Sequence, residues 1–138
     1  MVDKLDPKLR EEIKEEADNI CKICGRWCNY GEAHHVVKIS EEPLLRNCKT
    51  NIWWLDKECH GETETNPGFN RKLQKILQDY YFGKVQLDYN YTLEEIQSIV
   101  EMPIEDLEKA RNKGILKTTL GQANGLDLIY FLMGGYMK

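Results

Sequence analysis

Cys21-Lys-Ile-Cys24, Ala33-His34-His35-Val36-Val37 and Asn51-Ile-Trp-Trp-Leu55-Asp56-Lys-Glu-Cys59-His60 are the stretches on which the fold of this chain turns. All three histidines sit in the last two of these stretches, and the five cysteines crowd between positions 21 and 59. From residue 21 to about residue 67 the hydrophobic periodicity of helix and strand is lost, apart from His35-Val36-Val37 and the apolar run Ile52-Trp53-Trp54-Leu55. Such a segment needs something besides an apolar stripe to hold it. Crowded thiols in odd number suit metal ligation better than a disulfide framework.

Outside this segment the periodicity returns. Asp6-Pro7 pairs an acidic N-cap with proline at the first helical position, and Leu9, Ile13, Ala17 and Ile20 recur at helical spacing. An amphipathic helix to about Asn19 is predicted, with Glu11, Glu12, Glu15 and Glu16 as its solvated face. Downstream a helical pattern resumes near Phe69 and runs through Leu73, Ile76, Leu77, Tyr80 and Tyr81, with Gly83 as its predicted C-cap. Residues 85–91 read as strand or linker. The last third reads as helix over 92–100, a turn at Met102-Pro103, helix over 104–112, a short extended piece, and helix over 124–133.

Composition bounds the function. A chain of 138 residues can bury one modest core, or two small ones if a metal staples one of them. With 41% hydrophobic and 30% charged residues, 4 Pro and 10 Gly, it reads as an ordinary folded protein. Asp3, Lys4, Asp6 and Lys8 leave no apolar core for a signal peptide, and no window approaches the ~18 apolar residues of a membrane span. The expected location is therefore the cytoplasm, where thiols stay reduced and no membrane is a partner. A formal net charge of −4 argues against coating DNA by bulk attraction, so any nucleic-acid contact must be local.

The order Cys-x-x-Cys, His-His-hydrophobic, Asn, then Cys-His opening a helix resembles the HNH endonucleases over roughly residues 21–65. The resemblance implies an α+β fold: a small ββα-metal finger with a zinc knuckle, an N-terminal helix before it and a mostly helical module after it. It also implies a prokaryotic or phage-infected cell as the setting. By position, His34 and His60 would hold a catalytic Mg²⁺ or Mn²⁺, and His35 would be the general base. Asn51 would hold the loop and orient His35. Glu64 stands one helical turn past His60 and would be a third ligand if the helix continues through Gly61. Consecutive side chains of a regular strand face opposite ways, so the strand is expected to bend or end at His34-His35.

At the knuckle this chain departs from the pattern, because Asp56 stands where the third cysteine would be. Carboxylate oxygen binds Zn²⁺ at about the distance of imidazole nitrogen, so Cys21, Cys24, Asp56 and Cys59 could form a tetrahedral structural site. Cys28 or Cys48 could equally supply the fourth ligand. The chemistry suits phosphodiester hydrolysis, which needs a nucleophile generated near neutral pH and an offset to charge growing on phosphorus. An imidazole base with a Lewis-acid cation meets both needs. Trp53 and Trp54 read as core residues.

Residues 91–117 are similar to the helix-turn-helix of excisionase-like modules. Thr92 and Glu95 form a predicted capping box, and Leu93, Ile96 and Ile99 supply a stripe facing Leu107 and Ala110. Lys109, Arg111, Lys113 and Lys117 make a local basic cluster, whereas Glu105, Asp106 and Glu108 stand where a recognition helix approaches bases. Arg71, Lys72 and Lys75 offer a second face for the backbone of DNA.

The expected organisation is a nuclease core with its N-terminal helix over 1–67, a connecting helix and linker over 68–90, and a helix-turn-helix-like module over 91–138. The expected function is metal-dependent cleavage or nicking of double-stranded DNA, by a monomer or a homodimer, in a phage, a mobile element or a restriction system. A zinc-knuckle and helix-turn-helix regulator that binds DNA without cutting it is the alternative.

Overall fold

The computed structural model describes residues 5–136. Helix α1 (Pro7–Glu16) starts as its sequence predicts, with Asp6 accepting from Lys8 N at 3.1 Å. It stops short of Asn19 because Asp18 and Asn19 turn into the left-handed region, at φ 53° and 60°. Short polar side chains tolerate that region better than most. Ile13 presses α1 onto Ile52 and Trp54, and the Arg10 guanidinium lies 5.2 Å from the centre of the Trp54 ring.

Strands β1 (Glu32–His35) and β2 (Ile52–Leu55) form an antiparallel pair with His34 opposite Trp53 and His35 opposite Ile52. Gly31 permits the close approach at its start, where a Cβ would lie 2.5 Å from Leu55 O. β1 ends at His35; Val36 N still bonds to Asn51 O at 2.9 Å, and the chain leaves the ladder at Val37. The Asn51 side chain draws Val37 off, accepting from its N–H at 2.8 Å and donating to its carbonyl at 3.0 Å.

Helix α2 (Lys57–Thr65) follows β2 directly, capped by Asp56, and runs on through Gly61. Asn66 ends it and caps α3 (Pro67–Lys84), whose first residue is the proline that a helix tolerates there. Gly83 does not cap α3. The helix passes through it, and Val85 N closes the last turn on Tyr81 O at 2.9 Å.

The remaining elements are β3 (Asn90–Tyr91), α4 (Leu93–Val100), α5 (Ile104–Asn112), β4 (Ala123–Asn124) and α6 (Gly125–Leu132). β3 and β4 pair antiparallel. Thr92 and Glu95 form the reciprocal capping box at α4, and Glu101 ends that helix at φ 52°. The fold is α+β, with six α-helices and two small antiparallel sheets among the described residues.

One buried cluster runs through both halves of the chain, joining Val37, Leu45, Leu55 and Tyr81 to Ile96, Leu107, Phe131 and Leu132. Each such side chain contributes roughly 1.5–3 kcal/mol when fully buried. Helix α5 packs on the 3-10 turn Pro43–Leu45, next to the first sheet. Among the described residues no helix is long and apolar enough to cross a membrane.

Candidate metal centres

Two clusters of ligand-type side chains flank β1, β2 and α2. In the first, Cys21, Cys24, Asp56 and Cys59 bring one ligand atom each within 4.8 Å of the others. Lys22 N bonds to Trp54 O at 2.9 Å, which ties the Cys21 turn to β2, and Gly25, at φ 76°, turns the chain after Cys24. Asp56 and Cys59 are brought in by the first turn of α2. Cys48 takes no part, since it is fully buried in the core with its Sγ 3.8 Å from Val100 O. Cys28 also stands outside the group.

Hydrogen bonds and the Arg26 guanidinium link the members of this cluster. Cys24 Sγ donates to Asp56 Oδ2 at 2.9 Å, and Arg26 reaches Cys24 Sγ at 3.3 Å, Asp56 Oδ2 at 3.2 Å and Glu58 at 2.9 Å. The Cys24 hydrogen bond, helped by Cys59 N, holds the Asp56 carboxyl below its usual range. Burial opposes ionisation of Cys21, but backbone N–H groups of Cys24, Asp56 and Ile23 outweigh it and bring that thiol down. Burial and its neighbours push Cys59 up. Three sulfurs and one carboxylate oxygen at these separations can hold a metal such as zinc, whose tetrahedral sites use these donor types.

The second cluster joins His34, His60 and Glu64, whose ligand atoms also lie within 4.8 Å of one another. The His34 and His60 rings meet edge to face with centroids 5.3 Å apart. His60 and Glu64 share a face because α2 continues one turn past His60. These side chains line an open depression of about 220 Å³ together with His35, Lys38 and Ser40.

Both strand histidines are pinned by their far nitrogens. His35 Nε2 lies 2.9 Å from Arg46 O. A carbonyl oxygen only accepts, so Nε2 carries the proton and Nδ1 keeps its lone pair. Burial, opposed by that hydrogen bond, keeps the His35 imidazole below its ordinary pKa and thus neutral near pH 7. His34 is 3% exposed, and its Nε2 lies 2.8 Å from Asn70 Oδ1. Burial lowers its pKa as well, with the Asn70 contact opposing.

Asn51 is completely buried and touches the backbone two residues past His35, so it holds the turn rather than the ring. Trp53 and Trp54 are buried, as their sequence suggests. Lys109, Lys113 and Lys117 are exposed and Arg111 half-exposed at the end of α5. Of the carboxylates at the start of that helix, Asp106 is turned inward and raised by burial against an opposing Arg46 charge, so it does not face the solvent side. Arg71, Lys72 and Lys75 are exposed on α3, and Lys75 pairs with Asp79 at 3.3 Å.

Asn70 and Arg46 have no counterpart in the sequence expectations. Each reaches its histidine from a separate element, and no local motif announces either. No protein-family model matches this chain, and no curated protein or solved structure matches it.

Proposed function

We propose that the protein is a metal-dependent DNA endonuclease of the HNH type, with β1, β2 and α2 acting as a ββα-metal finger. One observation carries the reading: His34, His60 and Glu64 converge in the same open depression as His35, whose free Nδ1 is the one suited to accept a proton. A divalent cation, Mg²⁺ or Mn²⁺, would be held by His34, His60 and Glu64 and would supply Lewis-acid charge toward the phosphate. The donor set fits, with two imidazoles and one carboxylate within reach of a single ion.

His35 does the proton chemistry. It removes a proton from water at Nδ1 while the water oxygen bonds to phosphorus and a sugar oxygen departs. Arg46 O holds the ring throughout, because Nε2 stays protonated whether or not Nδ1 gains a proton. Among the described residues Lys38 is the one Lys or Arg that lines the depression, and it is suited to the phosphate. The Cys21, Cys24, Asp56 and Cys59 cluster serves as a structural zinc knuckle, tying the turn before β1 to the start of α2. Helices α4 and α5 position the duplex through Lys109, Arg111, Lys113 and Lys117, and the α3 cations Arg71, Lys72 and Lys75 add backbone contacts.

The knuckle and the α5 cations would equally serve a regulator that binds DNA without cutting it, but such a protein has no use for His35 in the depression. Plasmid nicking with Mg²⁺ or Mn²⁺ separates the two. Wild type should relax supercoiled plasmid and His35→Ala should not, with both proteins folded. Supercoiled plasmid left intact by wild type across several divalent ions would remove the nuclease reading. Metal analysis of protein purified without chelator should give about one zinc per chain, lost in Cys21→Ser.

A further inference from the structure

Asn70 lies on α3, beyond the stretch that carries the ligand pattern, yet it meets His34 at the back of the depression. Its Oδ1 is 2.8 Å from His34 Nε2, and the two residues are 4% and 3% exposed. The amide orientation is set independently, because Asn70 Nδ2 donates to Val36 O at 3.2 Å. The oxygen therefore faces the ring. An amide oxygen only accepts, so His34 must present Nε2–H to it, and a protonated nitrogen cannot ligate a cation.

We infer that Asn70 is a positioning residue of the second metal centre: its amide oxygen fixes His34 as the Nε2–H tautomer and leaves Nδ1 as the ligating nitrogen. Metal-bound imidazoles are generally oriented by an acceptor on their other ring nitrogen, and loss of that partner commonly weakens metal binding roughly 10–100-fold. The surrounding geometry favours this role over simple packing. Val36 O also accepts from Gln74 Nε2 at 2.9 Å, so the turn after His35 does not depend on Asn70 alone. His34 has no second hydrogen-bond partner of this kind among the described residues.

The inference rests on the cation site of the proposed function and not on DNA cleavage. Its test joins long-range ¹⁵N–¹H NMR of the histidine rings to Mn²⁺ titration followed by water-proton relaxation, on wild type, Asn70→Leu and Asn70→Asp. Wild-type His34 is expected as the Nε2–H tautomer. Asn70→Leu should give mixed tautomers and Mn²⁺ binding about 10–100-fold weaker, while Asn70→Asp, which keeps an acceptor, should retain the tautomer and most of the affinity.

A wild-type His34 protonated on Nδ1 would overturn the inference, as would unchanged Mn²⁺ affinity in a folded Asn70→Leu, or no Mn²⁺ binding by wild type. Should Asn70→Leu fail to fold, the wild-type tautomer and the Asn70→Asp titration still decide. A wild type that binds Mn²⁺ with the expected Asn70 dependence, but leaves plasmid intact, removes the nuclease reading and leaves the positioning role standing.

Discussion

Replacing Asn51 by alanine should destabilise the protein more than truncating His35, and the size of the effect follows from two contacts. Asn51 is fully buried, accepts from Val37 N at 2.8 Å and donates to Val37 O at 3.0 Å. Val37 is itself 1% exposed, so without Asn51 both backbone groups lose their partner inside the core. Each orphaned group costs about 1–3 kcal/mol, which places the loss at roughly 2–6 kcal/mol. Whole domains are stable by only about 5–15 kcal/mol, so a large fraction is at stake.

At this chain length about 1 kcal/mol corresponds to roughly 3–5 °C in Tm, so thermal unfolding followed by circular dichroism should show a drop of at least about 6 °C. Amide exchange at Val37 should accelerate in the variant, as the local opening there becomes cheaper. By contrast, His35→Ala removes one contact to Arg46 O at a half-exposed site and should cost about 1 kcal/mol while abolishing nicking. A Tm change under about 3 °C in Asn51→Ala, with Val37 still protected, would refute the view that this carboxamide holds the turn after β1.

Further outcomes follow from the same structure. In metal-free protein, Cys24, which is exposed, should react rapidly with a thiol reagent, whereas Cys48, fully buried and pushed up to about 11 by that burial, should react only on unfolding; added zinc should then protect Cys24. Burial raises the Asp106 carboxyl, so its folded-state pKa exceeds the unfolded one. The stability this contributes is present below the unfolded pKa and lost as pH rises through the folded pKa. Asp106→Asn should therefore gain Tm relative to wild type near pH 7, with the advantage shrinking toward pH 3; an advantage that grows in acid would reverse the argument. Lys38→Ala should lower kcat/KM for nicking roughly 10–100-fold, the effect of one charge-assisted contact, without changing Tm by more than a degree or so.

The features legible in the chain are those fixed by neighbours in sequence. The Asp6-Pro7 start of α1, the Thr92–Glu95 capping box and the stripe of α4 are short-range devices, and each forms as its spacing indicates. The ligand types were legible for the same reason: Cys21 with Cys24, Asp56 with Cys59, and His60 with Glu64 are each separated by about one turn, so local backbone geometry alone brings them side by side. Gly83 is an exception: α3 passes through it and closes its last turn with Val85 N on Tyr81 O.

What only the tertiary structure decided are the pairings between distant segments. The sequence left Asp56, Cys28 and Cys48 as rivals for one place beside Cys21 and Cys24. The choice went to Asp56 because β2 delivers the start of α2 to that turn, while Cys48 is consumed by the core. Arg46 O behind His35 and Asn70 behind His34 were likewise beyond any motif, since each hydrogen bond depends on how a separate element packs against β1. Composition and spacing determine which ligand-type side chains stand near one another along the chain; the burial of one shared core determines which separate element backs the His34 and His35 rings.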